Sequence, residues 1–510
     1  MSSTPPRILV LDQGTTSSRA VVYDERAQPL AIAQRELAQS FPRSGWVEHD
    51  AEEIWQDTLA CAREALQQAT LAADAVAALG ITNQRETIVL WDRATGQPLH
   101  PALVWQDRRT ADVCARLRKA GHEPLVQERT GLLLDPYFSA TKLAWLLDQV
   151  PQARARAKAG ELAAGTIDSW LIFRLTDGAV HATDATNASR TLLCGLESAA
   201  WDEELLALFD VPRELLPEIR DSVGDFGSCS AKLLGAAIPI CGVAGDQQAA
   251  AFGQGVRAPG TMKSTYGTGC FTLAHTGTTR PRSAHRLLAT IACRRDGVNS
   301  YAIEGSIFQA GTVVQWLRDQ LGLIRDAAET EALLAEADPD GDEVLVPAFT
   351  GMGAPWWDPH ARGALFGLTR DSGRAQIVRA ALASVAWQTL DLVEATGHDV
   401  GGLPQRLRVD GGMARNDGFL QLLADTLQMP VERPADTEST ALGAALLAGL
   451  GAGVWQNETD LETCWRSDRE FTPSVEPSRI AARRHKWRRA LEKVLDPMCT
   501  NPVTPDNPAC

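Results

Sequence analysis

The chain is 510 residues long and carries 64 Asp and Glu against 49 Lys and Arg, a net charge of −15. That length exceeds what one hydrophobic core fills and predicts two or three domains. The acidic balance disfavours nucleic acid as a partner, so an anionic substrate has to meet a local pocket of cations or N–H groups.

The ten cysteines are scattered without a C-x-x-C pair and the nine histidines are equally dispersed. This argues against a disulfide framework and against a zinc site. Met1 to Arg7 contains no apolar stretch of the secretory kind. The longest weakly polar run, Ala441 to Trp455, holds four glycines and is shorter than a bilayer requires, so it reads as a core helix and no membrane span is expected. A cytoplasmic enzyme is the class this composition supports.

Ile8 to Leu11 is apolar on both faces, the pattern of a strand covered on two sides. It ends in Asp12, and after Gln13 and Gly14 come four consecutive hydroxyl residues, Thr15, Thr16, Ser17 and Ser18. Arg19 to Asp24 then resumes as strand, which predicts a hairpin turn over Gly14 to Ser18. Such a turn aims N–H groups and short hydroxyls at one spot and suits phosphate oxygens, although it also fits an ordinary polar hairpin. Asp12 faces the same spot, and magnesium prefers one or two carboxylates plus phosphate ligands.

Asp50 with Glu53 three residues on predicts the start of a helix whose Trp55, Leu59, Ala62 and Leu66 share a face. Leu79 to Gln84 is a short strand that delivers Arg85 and Glu86 to its end. Adjacent opposite charges are usually solvated, but a guanidinium donor beside a carboxylate acceptor suits a ligand with neighbouring hydroxyls. Ile88 to Trp91 and Ala102 to Trp105 form a second hairpin around Thr95 and Gly96. Trp105 precedes the polar run Gln106 to Arg109, where its ring either joins the core or packs on the carbon skeleton of a small ligand. Ser139 is the expected N-cap of a helix with Leu143, Leu146, Leu147 and Val150 on one face, and Lys142 in its first turn reads as a solvated or structural charge. Thr166 to Ile240 shows no obvious site.

Pro239 to Gly245 is an apolar strand that ends in small residues, followed by Asp246, Gln247, Gln248 and an alanine-rich helix start. Asp246 fits either a helix N-cap or a general base facing a cleft. Met262 to Phe271 then repeats the scheme of the first hairpin, strand and Gly/Thr turn. This return suggests two related domains, each giving one phosphate-binding turn to the cleft between them. Gly311 and Gln315 follow a strand and suit a nucleotide. Asp371 and Ser372 are expected to cap a long helix, with Gly397 as its expected stop. Val409 to Gly412 is strand and glycine turn leading to Asn416 at the next helix start, without the spacing of a dinucleotide fingerprint. Arg479 to Leu495 is a basic helix with a solvated face, and Asp496 to Cys510, with four prolines, is expected to be disordered.

Leu11 to Arg19, Ile81 to Glu86, Val104 to Gln106, Asp135 to Trp145, Ala244 to Gln248, Ser264 to Phe271, Phe366 to Arg370, Val409 to Gly412 and Glu438 to Leu447 appear in an order and spacing that resemble the FGGY carbohydrate kinase family. The likeness runs from about residue 7 to residue 495 and is greatest to members that phosphorylate glycerol. It implies an α/β fold of two ribonuclease H-like domains, of the actin and hexokinase type, around a nucleotide cleft. The N-terminal domain, with the polyol site and the first phosphate hairpin, is expected over 1–254. The C-terminal domain, with the second hairpin and the adenosine site, is expected over 255–495.

The resemblance implies ATP and glycerol as substrates, Mg2+ as cofactor, and a homodimer or homotetramer. It makes Asp246 the general base and Asp12 the residue near the metal. Arg85, Glu86, Tyr137, Asp246 and Gln247 would hold the glycerol hydroxyls, with Trp105 and Phe271 as an apolar wall. Thr15, Thr16, Ser17 and Arg19 would meet phosphate, and Thr268, Gly311, Gln315, Gly412 and Asn416 the rest of the nucleotide. Ser228 to Gly235 departs from the lysine- and arginine-bearing loop through which some relatives bind fructose 1,6-bisphosphate. Phosphorylation of another polyol or sugar, such as a pentulose or erythritol, and an ATP-driven machine on the same fold are the rival expectations.

Overall fold

The computed structural model of the chain describes residues 5–436 and 438–495. The tail expected to be disordered lies outside the described residues.

Strands β1 (Arg7–Gln13), β2 (Ser17–Tyr23) and β3 (Pro29–Glu36) form an antiparallel meander. Helix α1 (Ala51–Gln68) leads to β4 (Val76–Asn83), parallel to β1, and β5 (Ile238–Gly245) lies parallel beside β4. Asp50 caps α1 as expected, its carboxylate accepting from the N–H groups of Glu52 and Glu53. Alternate residues of β1 go to opposite faces: Leu9 and Leu11 pack with Ile54 and Trp55 of α1, whereas Ile8 and Val10 pack with Leu442 and Leu446. The strand is apolar throughout because both its faces are covered.

The scheme recurs after α2 (Asp246–Gly253). β6 (Thr261–Tyr266) pairs antiparallel with β7 (Cys270–Gly277), and β8 (Leu288–Arg295) with β9 (Val298–Ile307) completes that side. Past α3 (Gly311–Asp319) and α4 (Arg374–Val400), β10 (Arg406–Asp410) lies parallel to β6, as β4 does to β1. Helix α5 (Asp417–Leu427) and β11 (Val431–Pro434) follow. The two sheets thus share one plan, in agreement with the expected pair of related α/β units.

Helix α6 (Ser439–Gly451) lies late in sequence yet packs on the first sheet and on α2. A Cβ at Gly443 would stand 1.8 Å from the Ala249 carbonyl oxygen, and one at Gly253 would stand 2.2 Å from that of Ser439. Only glycine lets the two helices approach this closely. The run that looked too short for a membrane is therefore the buried connection between the halves, and among the described residues no helix is long and apolar enough to cross a bilayer.

Three local expectations fail. Asp371 and Ser372 do not cap α4, whose first residue is Arg374 with Gly373 in the capping position. Gly397 does not stop α4, which runs on to a left-handed Gly401 with φ +78°; Gly397 stays inside because its bare backbone fits against Leu403. Ser139 opens its helix rather than capping it, and its hydroxyl donates to the Glu86 carbonyl at 2.8 Å. The eight cysteines among the described residues are free thiols, as their spacing suggested.

Candidate functional site

Three parallel strands end side by side, and each delivers a charged residue at its carboxyl end: Asp12 from β1, Arg85 and Glu86 just past β4, and Asp246 just past β5. In open α/β sheets this edge is where ligands bind. Asp246 is the first residue of α2, with Gly245 in the capping position. It is therefore not an N-cap, although its Oδ1 accepts from the N–H of Gln247 at 2.6 Å, and the same oxygen lies 3.3 Å from Arg85 Nε. Burial pushes the Asp246 carboxyl upward against the pull of Arg85 and then Lys263, and burial likewise raises Asp12 against Arg19.

Arg85 and Glu86 are buried, not solvated. Arg85 Nη1 and Nη2 donate to Glu304 Oε2 and Oε1 at 2.5 and 3.1 Å, a two-pronged pair across the halves because Glu304 comes from β9. Arg190 completes the cluster, Nε donating to Glu86 at 2.7 Å and Nη2 to Glu304 at 3.0 Å. Burial alone would raise Glu304, but Arg190 and Arg85 outweigh it and hold the carboxyl at about 2. In Glu86 the balance goes the other way: burial wins over Arg190 and Arg85, and its pKa rises.

Four members of this cluster escape sequence reasoning. Arg190 lies in the stretch that showed no site, and Glu304 carries a charge inside an apolar strand, the one hint available. Gln248 Oε1 accepts from Arg85 Nη1 at 3.3 Å. Lys263, fully buried on β6, donates to Gln247 Oε1 and, at 2.9 Å, to Thr265 Oγ1, and burial lowers its pKa.

Trp105 stands edge-on to Tyr137 at 5.5 Å and to Phe271 at 6.2 Å, so the apolar wall is built from both halves. The indole N–H of Trp105 donates to Thr15 Oγ1 at 2.9 Å, which ties that wall to the first hairpin. Lys142 is structural rather than solvated: its buried ammonium donates to the carbonyls of Tyr137 and Trp105 at 2.8 and 3.3 Å, and burial lowers its pKa to about 7.

The first hairpin is tighter than expected, since Ser17 and Ser18 already belong to β2 and only Gly14 to Thr16 turn, closed by Gly14 N–H to the Ser17 carbonyl at 2.9 Å. Thr16 is exposed, and Arg19 reaches Glu438 in the other half while standing 3.9 Å from Asp12. The second hairpin turns over Gly267 to Gly269. Its Gly267 carbonyl accepts from Gly311 N–H at 2.9 Å, and its Thr268 carbonyl accepts from Ala310 and Thr312 N–H at 3.1 Å each. A Cβ at Gly311 would meet the Gly267 oxygen at 2.6 Å, so the missing side chain is what allows the approach.

Gln315 lies exposed on α3, and Gly412 is exposed beside Gly411, whose φ of +88° only glycine adopts without strain. Asn416 is an N-cap for α5: its Oδ1 accepts from Phe419 N–H at 2.8 Å while its Nδ2 donates to Thr330 at 2.9 Å. The first half thus gathers Asp12, Thr15, Arg85, Glu86, Trp105, Tyr137, Asp246 and Gln247 into one connected group that Phe271 joins from the second half. Thr268, Gly311, Gln315, Gly412 and Asn416 belong to the second half. Among the described residues no group of three or more His, Cys, Asp or Glu is placed to hold a metal. A lone carboxylate such as Asp12 suffices for magnesium only where phosphate oxygens and waters fill the rest of its shell.

Residues 7–253 match the N-terminal domain of the FGGY family of carbohydrate kinases and residues 262–452 its C-terminal domain. The chain is 58% identical over 489 residues to the glycerol kinase of Alcanivorax borkumensis, covering 96% of this chain and 98% of that one. It is 56% identical over 489 residues to that of Rhodospirillum rubrum, covering 96% and 99%. The crystal structure of Plasmodium falciparum glycerol kinase with ADP superposes with a TM-score of 0.92 at 34% identity, covering 96% of this chain and 99% of that one.

Proposed function

The chain belongs to the FGGY family of carbohydrate kinases, and from that premise we propose that it transfers the γ-phosphoryl group of ATP to a terminal hydroxyl of glycerol, giving ADP and sn-glycerol 3-phosphate. The observation that carries this reading is the meeting, at one sheet edge, of Asp246 with the Arg85 and Glu86 pair in front of the Trp105 and Phe271 wall. A conformational machine needs no such group. The domains meet at about residue 254, and the substrates lie between them.

Arg85, Glu86, Tyr137 and Gln247 hold the hydroxyls of the polyol, and Trp105 and Phe271 cover its carbon chain. Arg85 is fixed before substrate arrives, because Glu304 grips both its terminal nitrogens, and Lys263 occupies the Gln247 oxygen so that the amide NH2 points elsewhere as a donor. Thr15, Thr16, Ser17 and Arg19 face the transferring phosphate, while Thr268, Gly311, Gln315, Gly412 and Asn416 hold the rest of the nucleotide. The new O–P bond forms as the bond from the γ-phosphorus to ADP breaks, and Asp246 accepts the hydroxyl proton. With a loose transition state, placement and charge neutralisation do most of the catalysis. Magnesium, held through Asp12 when bound, supplies neutralisation at the phosphate oxygens.

The deciding experiment measures ADP release over a panel of glycerol, erythritol, xylulose and gluconate. Glycerol is expected to give the highest kcat/KM. A pentulose preference, or ATP turnover indifferent to every polyol, overturns the reading.

A further inference from the structure

Behind the helix that carries Asp246 lies a second cavity, of about 180 Å³, between α2 and strands β7 to β9. A molecule of water occupies about 30 Å³, so the space takes several waters or one small polyatomic ion. Arg257 lines it, its guanidinium 5.4 Å from the Phe252 ring and its Nη1 buried without a hydrogen-bond acceptor. Buried donors without acceptors are rare, and each calls for an unseen water or ion.

The other polar groups around Arg257 are mostly donors as well. His275 Nδ1 accepts from Gly277 N–H at 3.0 Å, and burial lowers its pKa to about 4, so the ring is neutral and carries its hydrogen on Nε2. Arg295 has an ion partner in the neighbouring Asp296, 3.4 Å away and largely exposed, a weak hold on the guanidinium. The one carboxylate in the lining, Glu458, is an exposed residue, and it is the foremost of the charges acting on Arg257, so an incoming anion competes with it across solvent. Two guanidiniums and an imidazole N–H make a donor set for tetrahedral oxyanions, which arginine grips better than any other side chain.

We propose that this cavity is a binding site for a small phosphate-class oxyanion. Its wall includes Gln248, whose Oε1 accepts from Arg85 and whose Nε2 donates to Thr290 at 3.0 Å and to the Ile291 carbonyl at 3.3 Å. An ion seated there touches the same helix as Asp246 and sits one side chain away from Arg85.

The test is calorimetric titration of the full chain with inorganic phosphate, alongside Arg257→Gln, Arg257→Lys and Arg19→Gln. It needs no catalysis, so it is independent of the activity assay. Phosphate is expected to bind the parent and Arg19→Gln alike, with affinity falling roughly tenfold or more in Arg257→Gln, the loss of a charged hydrogen bond. Arg257→Lys restores part of it, and matching melting curves show that the variants fold. Unchanged affinity in Arg257→Gln, binding lost only in Arg19→Gln, or no binding through the millimolar range, which leaves a cavity filled by water, overturns the proposal.

Discussion

The two Gly/Thr hairpins descend from one plan but are held in opposite ways. In the first, Asp12 stands opposite Arg19 across β1 and β2 and beside Thr82 on β4. In the second, Thr265 occupies the matching place opposite Phe271, and the carboxylate has moved to the parallel neighbour, Asp410. The first turn is surrounded by side chains that can move charge and protons. The second is clamped by backbone, through Gly267, Thr268 and Gly311. One hairpin is thus suited to the reacting end of the nucleotide and the other to holding it still.

If the chemistry belongs to the first half, the largest effect comes from Asp246→Asn. Turnover should fall roughly 10²- to 10⁴-fold, the range for a lost general base, with the glycerol KM little changed. Steady-state kinetics check it, and near-normal kcat removes Asp246 from that role.

The second half contributes through Glu304. Glu304→Gln keeps the shape but leaves Arg85 and Arg190 buried without their shared carboxylate, a loss expected to cost about 3 to 5 kcal/mol of stability in urea denaturation. The pH dependence has a definite sign. The carboxyl is held at about 2 against an ordinary 4.5, so its stabilisation is complete above 4.5 and drains away as pH falls toward 2. The variant should lack that acid limb, and a variant as acid-sensitive as the parent contradicts the account.

Glu304 also marks the limit of what the sequence makes legible. Asp12, Arg85, Glu86 and Asp246 can be read because each closes an apolar strand, and the two hairpins because hydroxyls and glycines cluster there. Arg190 and Glu304 lie over a hundred residues apart, and each has a partner that only the closed fold supplies. Between a solvated and a structural Lys142 the sequence could not choose, since its two carbonyl acceptors come from Trp105 and Tyr137 and only the fold brings them to it. Gly397 shows the same effect in a helix, where a propensity cost of about 1 kcal/mol gives way to packing against Leu403.

A smaller effect separates substrate from nucleotide. Arg85→Ala removes a charged donor worth roughly 1.5 to 3 kcal/mol and should raise the glycerol KM about tenfold to a hundredfold. The KM for ATP should stay near its original value. An effect on ATP alone would move the polyol pocket away from the first sheet.

The smallest effect tests the contrast between the hairpins themselves. A methyl at Gly311 would stand 2.6 Å from the Gly267 carbonyl, so Gly311→Ala must push the second turn aside, at a cost of about 1 to 3 kcal/mol and a raised KM for ATP. At Gly14 the nearest atom to such a methyl is the Ser17 carbonyl at 3.4 Å, and φ there is not left-handed, so Gly14→Ala should change stability by less than about 0.5 kcal/mol. Thermal melts and ATP saturation curves of the two variants measure the difference directly. Equal losses would mean that both turns are backbone clamps, and the division between a reacting hairpin and a holding hairpin would go.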